Sequence, residues 1–106
     1  MPGTLDMMIL KTLTRRPLHG YGIAQSIRSI SHDVLTVEEG SLYPALPRLL
    51  LQGWMKAEWK LTETRRRARF YTLTAAGRKH LGVEVSQFRQ MMEAIGRGLE
   101  DATEAG

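Results

Sequence analysis

The sequence predicts a mostly α-helical domain that carries one small β-hairpin. Three observations support this prediction. Apolar residues recur at helical spacing in four segments, two short segments alternate apolar and polar residues, and a polar, basic stretch separates these two. With 106 residues, of which 42% are hydrophobic and 25% charged, the chain has the composition of one soluble domain with a single modest core.

The composition excludes several classes of function. The absence of cysteine rules out disulfides, thiolate metal sites and cysteine catalysis. No nucleophile with a base, no glycine-rich phosphate loop and no pair of carboxylates on one helix face stands out, so we expect neither an enzyme nor a cofactor. His19, His32 and His80 lack partners at ligand spacing, and no metal is expected. The short, interrupted apolar stretches favour a cytoplasmic protein without a membrane partner.

The first half of the chain predicts three helices. The first covers Thr4–Thr14, and the second opens at Gly20 or Tyr21 and ends near Ser31. An extended connection is expected before a third helix over Glu38–Gln52. Its two prolines predict a kink or a tightened start in one continuous helix, because a proline inside a helix removes a hydrogen bond.

Two alternating segments predict the hairpin. They span Trp54–Leu61 and Ala68–Leu73, and the stretch TETRRR between them forms a basic tip. Trp54 and Trp59 are expected to lie in the core, where tryptophan is more often found than in a ligand site.

The last predicted helix begins after the N-cap residue Thr74 and covers 75–100. Its apolar residues follow a heptad spacing, which predicts pairing with the same helix of a second copy and hence a homodimer. The alternative is that this stripe packs on its own domain. Residues 101–106 are expected to form a flexible tail. The stripe consists of Leu81, Val85, Phe88, Met92, Ile95 and Leu99.

The charge is unevenly placed along the chain. Residues 54–80 carry a net charge of +6, whereas residues 81–106 carry −3. This asymmetry indicates an anionic partner, and nucleic acid fits better than a membrane surface because no basic amphipathic helix is present. Three helices followed by a hairpin match the winged helix-turn-helix, in which the third helix enters the major groove of double-stranded DNA. A solvated charged face is the alternative.

Three stretches resemble the PadR family of transcriptional regulators. They are HGYGIAQSI (His19–Ile27), EEGSLYPALPRL (Glu38–Leu49) followed by QGW, and RRARFYTLTAAGRKHL (Arg66–Leu81). The resemblance implies a winged-helix repressor that is dimeric through its C-terminal helix and binds an operator of two symmetric half-sites. The short last helix is similar to the smaller branch of the family, in which a pocket between the subunits binds planar apolar effectors.

The chain departs from the family pattern at Pro47, where the family usually has a polar or basic residue, and at Leu50, which is often acidic there. Proline cannot donate a hydrogen bond, so a contact that relatives make at this position is lost. The sequence preference for DNA therefore stays open.

Candidate DNA-contacting residues combine hydroxyl and cationic donors, which are the groups that bind phosphates and base edges. Each has an alternative role: Ser41 as a helix cap, Tyr21 as a core anchor, Arg48 as a plain surface residue, and the hairpin arginines as a solvated loop. We expect Tyr43 to be partly exposed. The helical candidates are Tyr21, Ser41, Tyr43 and Arg48, and the hairpin candidates are Lys60, Arg65, Arg66, Arg67 and Arg69.

Two further functions remain open from the sequence. A winged helix can dock an acidic protein partner instead of DNA, and a small-ligand carrier would have a pocket without binding DNA. A pocket for a small apolar effector would lie along the helix seam at Phe88, Met91, Met92 and Ile95. The predicted division is a DNA-binding domain over 1–74 and a dimerisation helix over 75–100.

Overall fold

The computed structural model describes residues 2–105 as four helices and a three-stranded antiparallel sheet. This confirms the predicted mostly helical fold with a hairpin and adds one short strand. The elements in chain order are α1 Pro2–Thr12, β1 Leu18–His19, α2 Gly20–Ile30, α3 Glu39–Leu51, β2 Met55–Leu61, β3 Arg67–Leu73 and α4 Ala75–Ala105.

The first three helices enclose the core with one face each. Apolar faces at helical spacing meet here, because the short loops force the three helices together. Burying such side chains supplies most of the stability, about 1.5–3 kcal/mol for each fully buried aliphatic residue. The largest fully buried side chains are Ile9, Leu10, Ile23, Ile27, Leu42, Leu46 and Leu49.

α3 is one continuous helix despite its two prolines. Its first turn is tight, because the carbonyl oxygen of Glu38 accepts hydrogen bonds from the amides of both Ser41 and Leu42, at 3.0 and 2.9 Å. Gly53 follows the helix with a φ of 76°, a left-handed conformation that glycine adopts without strain. The chain therefore turns directly from α3 into β2.

The sheet has the order β1-β3-β2, with β3 in the centre. β2 pairs with β3 from Met55 opposite Leu73 to Leu61 opposite Arg67, as expected for the predicted hairpin. β1 pairs Leu18 with Tyr71 and His19 with Phe70 along the other side of β3. β1 was not predicted from the sequence, because two residues cannot show a period.

The hairpin is buried only at its base. Met55 and Tyr71 reach the core, whereas Trp59 is 59% exposed and Leu61 is 67% exposed. The expectation that Trp59 lies in the core is therefore wrong. The reason is geometric, since the outer half of the hairpin projects beyond the helices and no helix within residues 2–105 covers its inner face there.

A compact joint connects the hairpin to α4. Thr74 caps the helix as predicted, because its hydroxyl oxygen accepts a hydrogen bond from the Gly77 amide at 3.0 Å and donates one to the Gly53 carbonyl at 2.6 Å. Trp54 is half-buried, and its ring stacks on that of His80 with centroids 3.5 Å apart and planes 9° apart. This joint fixes where α4 starts relative to the sheet.

α4 is a long helix of 31 residues, which corresponds to about 46 Å. It continues to Ala105 and so extends beyond the predicted end at Glu100. The expectation of a short last helix is therefore wrong. Part of the predicted flexible tail is therefore helical, and Gly106 lies outside the described residues.

The predicted apolar seam of α4 is divided between two surroundings. Leu81 is buried, and Val85 and Phe88 pack against the core of their own chain. Met92 and Ile95 are 49% and 47% exposed, and Leu99 is also exposed. The first half of the stripe therefore packs on its own domain, because α1 lies alongside that part of α4, and pairing of the stripe with a second copy stays a prediction.

Candidate nucleic-acid interface

α3 presents a polar face opposite its buried stripe. Leu42, Ala45, Leu46 and Leu49 point into the core, and Ser41 is exposed on the other side. The helix is capped at Glu38, so Ser41 is not the N-cap residue. Its hydroxyl makes no hydrogen bond to any residue within 2–105, which leaves it able to bind a phosphate or a base edge.

Tyr43 crosses the start of α2 at close range. A Cβ atom on Gly20 would lie 3.1 Å from the Tyr43 ring, so the glycine is what allows α2 and α3 to approach at this point. Tyr43 is 48% exposed, which agrees with the expected partial exposure. Its ring lies at the boundary between the core and the open surface.

Tyr21 lies in the first turn of α2, just after the N-cap residue His19. The His19 Nδ1 atom accepts a hydrogen bond from the Gly22 amide at 3.0 Å, which orients the imidazole. The Tyr21 ring stacks beside it at 6.4 Å and remains 64% exposed. Tyr21 is therefore not a core anchor, and its hydroxyl can reach a phosphate near the helix N-terminus.

The tip of the hairpin is an ordered turn. The Thr62 amide donates to the Arg66 carbonyl at 2.8 Å, and the Arg65 amide donates to the Thr62 carbonyl at 2.9 Å. Arg65 has a φ of 63° in this turn. These bonds involve backbone groups, and the Arg65 and Arg66 side chains are exposed, with no carboxylate partner within residues 2–105.

Arg67 and Arg69 share the inner face of the hairpin with aromatic rings. Arg69 lies opposite Trp59 in the sheet register. The Arg67 guanidinium is 5.5 Å from the Trp59 ring centre, and that of Arg69 is 6.0 Å from the ring of Tyr71. Guanidinium groups stacked on rings keep their N–H edges available for phosphate oxygens.

The hairpin cations differ in their partners. Within residues 2–105, none of the four hairpin arginines at positions 65, 66, 67 and 69 forms an ion pair with a carboxylate. Lys60, by contrast, lies 3.1 Å from Glu58 on the outer face, and 6.0 Å from the Phe70 ring. Glu63 lies in the same turn and forms no ion pair with these arginines, and four arginines in five positions without such a pair favour an external anion.

An open groove of about 940 Å³ separates the hairpin from the start of α2 and from α3. It brings together five of the nine predicted residues: Tyr21, Tyr43, Arg66, Arg67 and Arg69. Ser41, Arg48, Lys60 and Arg65 do not line it. Arg16 and His19, which were not predicted to contact DNA, also line it. Arg16 belongs to the cationic doublet Arg15-Arg16 that follows the first predicted helix, and this doublet was the available signal.

The groove also contains a buried phenol at its floor. Burial raises the pKa of Tyr71, while the nearby Arg69 guanidinium lowers it and Tyr43 raises it. Tyr71 is therefore neutral near pH 7, and the positive charge along the groove comes from the arginines.

Arg48 has a partner inside the protein. Its Nη2 atom donates to the Oδ1 atom of Asp6 on α1, which joins α3 to α1. This ion pair was not predicted. The Arg48 side chain remains 46% exposed, whereas that of Asp6 is only 18% exposed.

The α1 and α4 helices enclose a smaller cavity of about 260 Å³ near the N-terminus of α1. Phe88 and Met91, two of the residues predicted to bind an apolar effector, line it together with Met7.

Among residues 2–105, no group of three His, Asp or Glu side chains is close enough to hold a metal ion. The same residues contain no helix of the length and apolar character needed to cross a bilayer.

Solved structures share this architecture. A transcriptional regulator of Clostridium thermocellum is 27% identical with a TM-score of 0.81, and the match covers 90% of this chain and 92% of that one. A PadR-like transcriptional regulator of Bacillus cereus is 21% identical with a TM-score of 0.77, covering 92% of both chains. Bacillus subtilis PadR, solved in complex with operator DNA, is 24% identical with a TM-score of 0.68, over 77% of this chain and 47% of that one.

The sequence comparisons agree with the structural ones. An uncharacterised protein of Lysinibacillus sphaericus is 25% identical over 93 residues, which is 88% of this chain and 85% of that protein. The model of the transcriptional regulator PadR-like family matches residues 9–83, from α1 through the hairpin into α4. That family consists of DNA-binding regulators and not of enzymes, as expected from the sequence. The match spans most of the chain, and the chain belongs to the PadR-like family of transcriptional regulators.

Proposed function

We propose that this protein is a sequence-specific repressor that acts in the cytoplasm and binds a palindromic DNA operator as a homodimer. The observation that carries the proposal is the open groove between the hairpin and the helices. Its walls place Tyr21 and Tyr43 opposite Arg66, Arg67 and Arg69, and within residues 2–105 these arginines have no carboxylate partner.

The chemistry of this groove suits a nucleic-acid backbone. The arginines gain affinity by releasing counterions condensed on DNA, and this gain does not depend on sequence. The tyrosine hydroxyls and the N-terminal amides of α2 supply directed hydrogen bonds to phosphates, which set the register. With the backbone held in this way, Ser41 and the exposed face of α3 contact base edges.

The exposed half of α4 supports the homodimer. Met92 and Ile95 are half-exposed on one side of the helix, on the part that extends beyond the contact with α1. A second copy of the same helix would cover them by heptad packing. A two-fold pair presents two α3 helices, and this arrangement predicts two symmetric half-sites about one helical turn apart.

The cavity beside Phe88 and Met91 supports a regulatory ligand. It lies between α1 and α4, close to the proposed dimer contact, and a small apolar molecule there would change the packing of α4. We propose that such an effector adjusts the spacing of the two hairpins and so relieves repression.

A salt titration of DNA binding tests the function. Selection from a random duplex library first identifies the preferred site, and the dissociation constant is then measured for that site and for a scrambled duplex. Three or four phosphate contacts per subunit predict a slope of log affinity against log salt of about −5 to −7 for the dimer. The proposal is wrong if the protein selects no site, or if its affinity does not change with salt.

A further inference from the structure

The ion pair between Asp6 and Arg48 has a consequence for the way in which α3 meets DNA. Arg48 is the only positively charged residue of α3, whose sequence is EGSLYPALPRLLL. Its neighbour Pro47 has no hydrogen-bond donor, and Glu39 in the first turn is negative. The net charge that α3 offers to a phosphate therefore depends on the state of this one arginine, that is, on whether it is paired with a carboxylate.

Asp6 determines that state. The carboxylate is mostly buried between α1 and α3, with 18% of its side chain exposed, and the guanidinium is its only ion-pair partner among the described residues. A mostly buried carboxylate requires such a partner, because leaving it unpaired costs more than an exposed contact gains. Arg48 is thus held towards α1 and its charge is neutralised locally.

We propose that Asp6 is a specificity-determining residue, which binds Arg48 and so keeps the only cation of α3 away from DNA phosphates. α3 then contacts DNA with uncharged donors, and affinity for the backbone comes from the hairpin arginines. This inference rests on the proposed DNA-binding function and assigns to the ion pair a role within it.

The physical reason concerns complexes with the wrong sequence. In such complexes the protein is not held by base contacts, so an unpaired arginine can approach the nearest phosphate and adds affinity to every duplex. In the specific complex the orientation of α3 is set by base contacts, and Arg48 lies in the C-terminal half of the helix, beside α1. Freeing Arg48 therefore strengthens non-specific binding more than specific binding.

Asp6→Asn tests this proposal with little change of shape. We expect affinity for a scrambled duplex to rise, by up to about fivefold per subunit, the range of an exposed ion pair. The salt slope on that duplex should steepen by about 0.9 per subunit. Affinity for the selected site should rise less, so the ratio of specific to non-specific affinity falls.

Two further variants complete the cycle. Asp6→Asn combined with Arg48→Gln replaces the ion pair with a neutral pair and should restore the wild-type ratio and slope. Asp33→Asn is the matched control, because Asp33 forms an ion pair with Arg28 at 3.0 Å after α2, away from the groove. It should leave the ratio unchanged.

The outcomes separate this proposal from its alternatives. If Asp6→Asn weakens the selected site and leaves the scrambled duplex unaffected, Asp6 orients Arg48 for a DNA contact and the proposal is wrong. An unchanged ratio also overturns it. If circular dichroism shows that Asp6→Asn does not fold, Arg48→Gln is used instead. A ratio of specific to non-specific affinity at or above that of the wild type then supports the proposal. A fall of this ratio by about tenfold, as for a lost base contact, contradicts it. If the wild-type protein itself shows no site preference, the proposed function fails instead.

Discussion

The carbonyl oxygen of Trp54 lies 1.8 Å from the position that a Cβ atom would occupy on Gly77. The same oxygen accepts a hydrogen bond from the Thr74 amide at 3.1 Å. The first turn of α4 therefore rests directly on the backbone that leads from α3 into β2. This contact sets the direction of a helix that is more than twice as long as any other in the protein.

Gly77→Ala should destabilise the protein, because the added methyl group would meet backbone and not a movable side chain. We expect a loss of about 1–3 kcal/mol or more in the free energy of unfolding, measured with urea. Gly82→Ala is the control, since no atom lies within 4 Å of its added Cβ. Alanine in a helix interior should there raise stability by about 0.5–1 kcal/mol. Equal effects at both positions would contradict this account of the joint.

Replacing Arg65, Arg66 and Arg67 with alanine should weaken binding to all duplexes alike. Each lost phosphate contact should reduce the steepness of the salt slope by about 0.9. Binding is measured by fluorescence anisotropy at several salt concentrations. The single change Arg66→Ala is compared with Arg97→Ala on α4, which removes the same charge away from the hairpin. Arg97→Ala should change the affinity for DNA little. Unchanged affinity of the triple variant would remove the hairpin from the interface.

Ser41→Ala should change the sequence preference while leaving the salt slope as it is. The hydroxyl carries no charge and releases no counterion, so its loss affects base or positional contacts only. The preferred site is determined by selection from a random library and compared with that of the wild type. Ser86→Ala, at an exposed position of α4, is the control. A less steep salt slope for Ser41→Ala would contradict the prediction that Ser41 contacts DNA only through its uncharged hydroxyl.

Met92→Glu combined with Ile95→Glu should convert the proposed homodimer into a monomer. Charges placed on the apolar contact would be buried without partners, which costs several kcal/mol per ion. Sedimentation equilibrium measures the molecular mass. Val83→Glu is the control, because Val83 is 49% exposed on roughly the opposite side of α4. A dimer that survives the double change would place the interface elsewhere.

Tyr71→Phe should make the protein less sensitive to alkaline pH. Burial holds the pKa of Tyr71 above its usual 10.0, so the folded state keeps a proton that the unfolded state releases. The resulting stabilisation is fully present below the unfolded pKa and is lost as the pH rises through the folded pKa. Urea unfolding between pH 8 and pH 11 should show a steeper fall for the wild type than for Tyr71→Phe. If the stability of the two proteins falls equally with pH, the raised pKa of Tyr71 does not contribute to stability.

Features that depend on neighbours in sequence could be predicted from it. The helices, the hairpin and the Thr74 cap follow from apolar spacing, alternation and local hydrogen bonding, all of which act within a few residues. The motifs around His19, Ser41 and Thr74 were sufficient to identify the family. The cluster of arginines at the hairpin tip was equally visible, because charge density along the chain does not require a fold.

Other features required the tertiary structure because they join distant parts of the chain. Arg48 and Asp6 are 42 residues apart, and no local pattern indicates that one neutralises the other. β1 exists only because β3 offers backbone groups to two residues that have no strand period of their own. Leu81 and Met92 belong to one heptad stripe, yet α1 covers the former and leaves the latter exposed. An apolar stripe indicates which side chains are favoured to be buried, but the tertiary packing determines which part of the protein covers them.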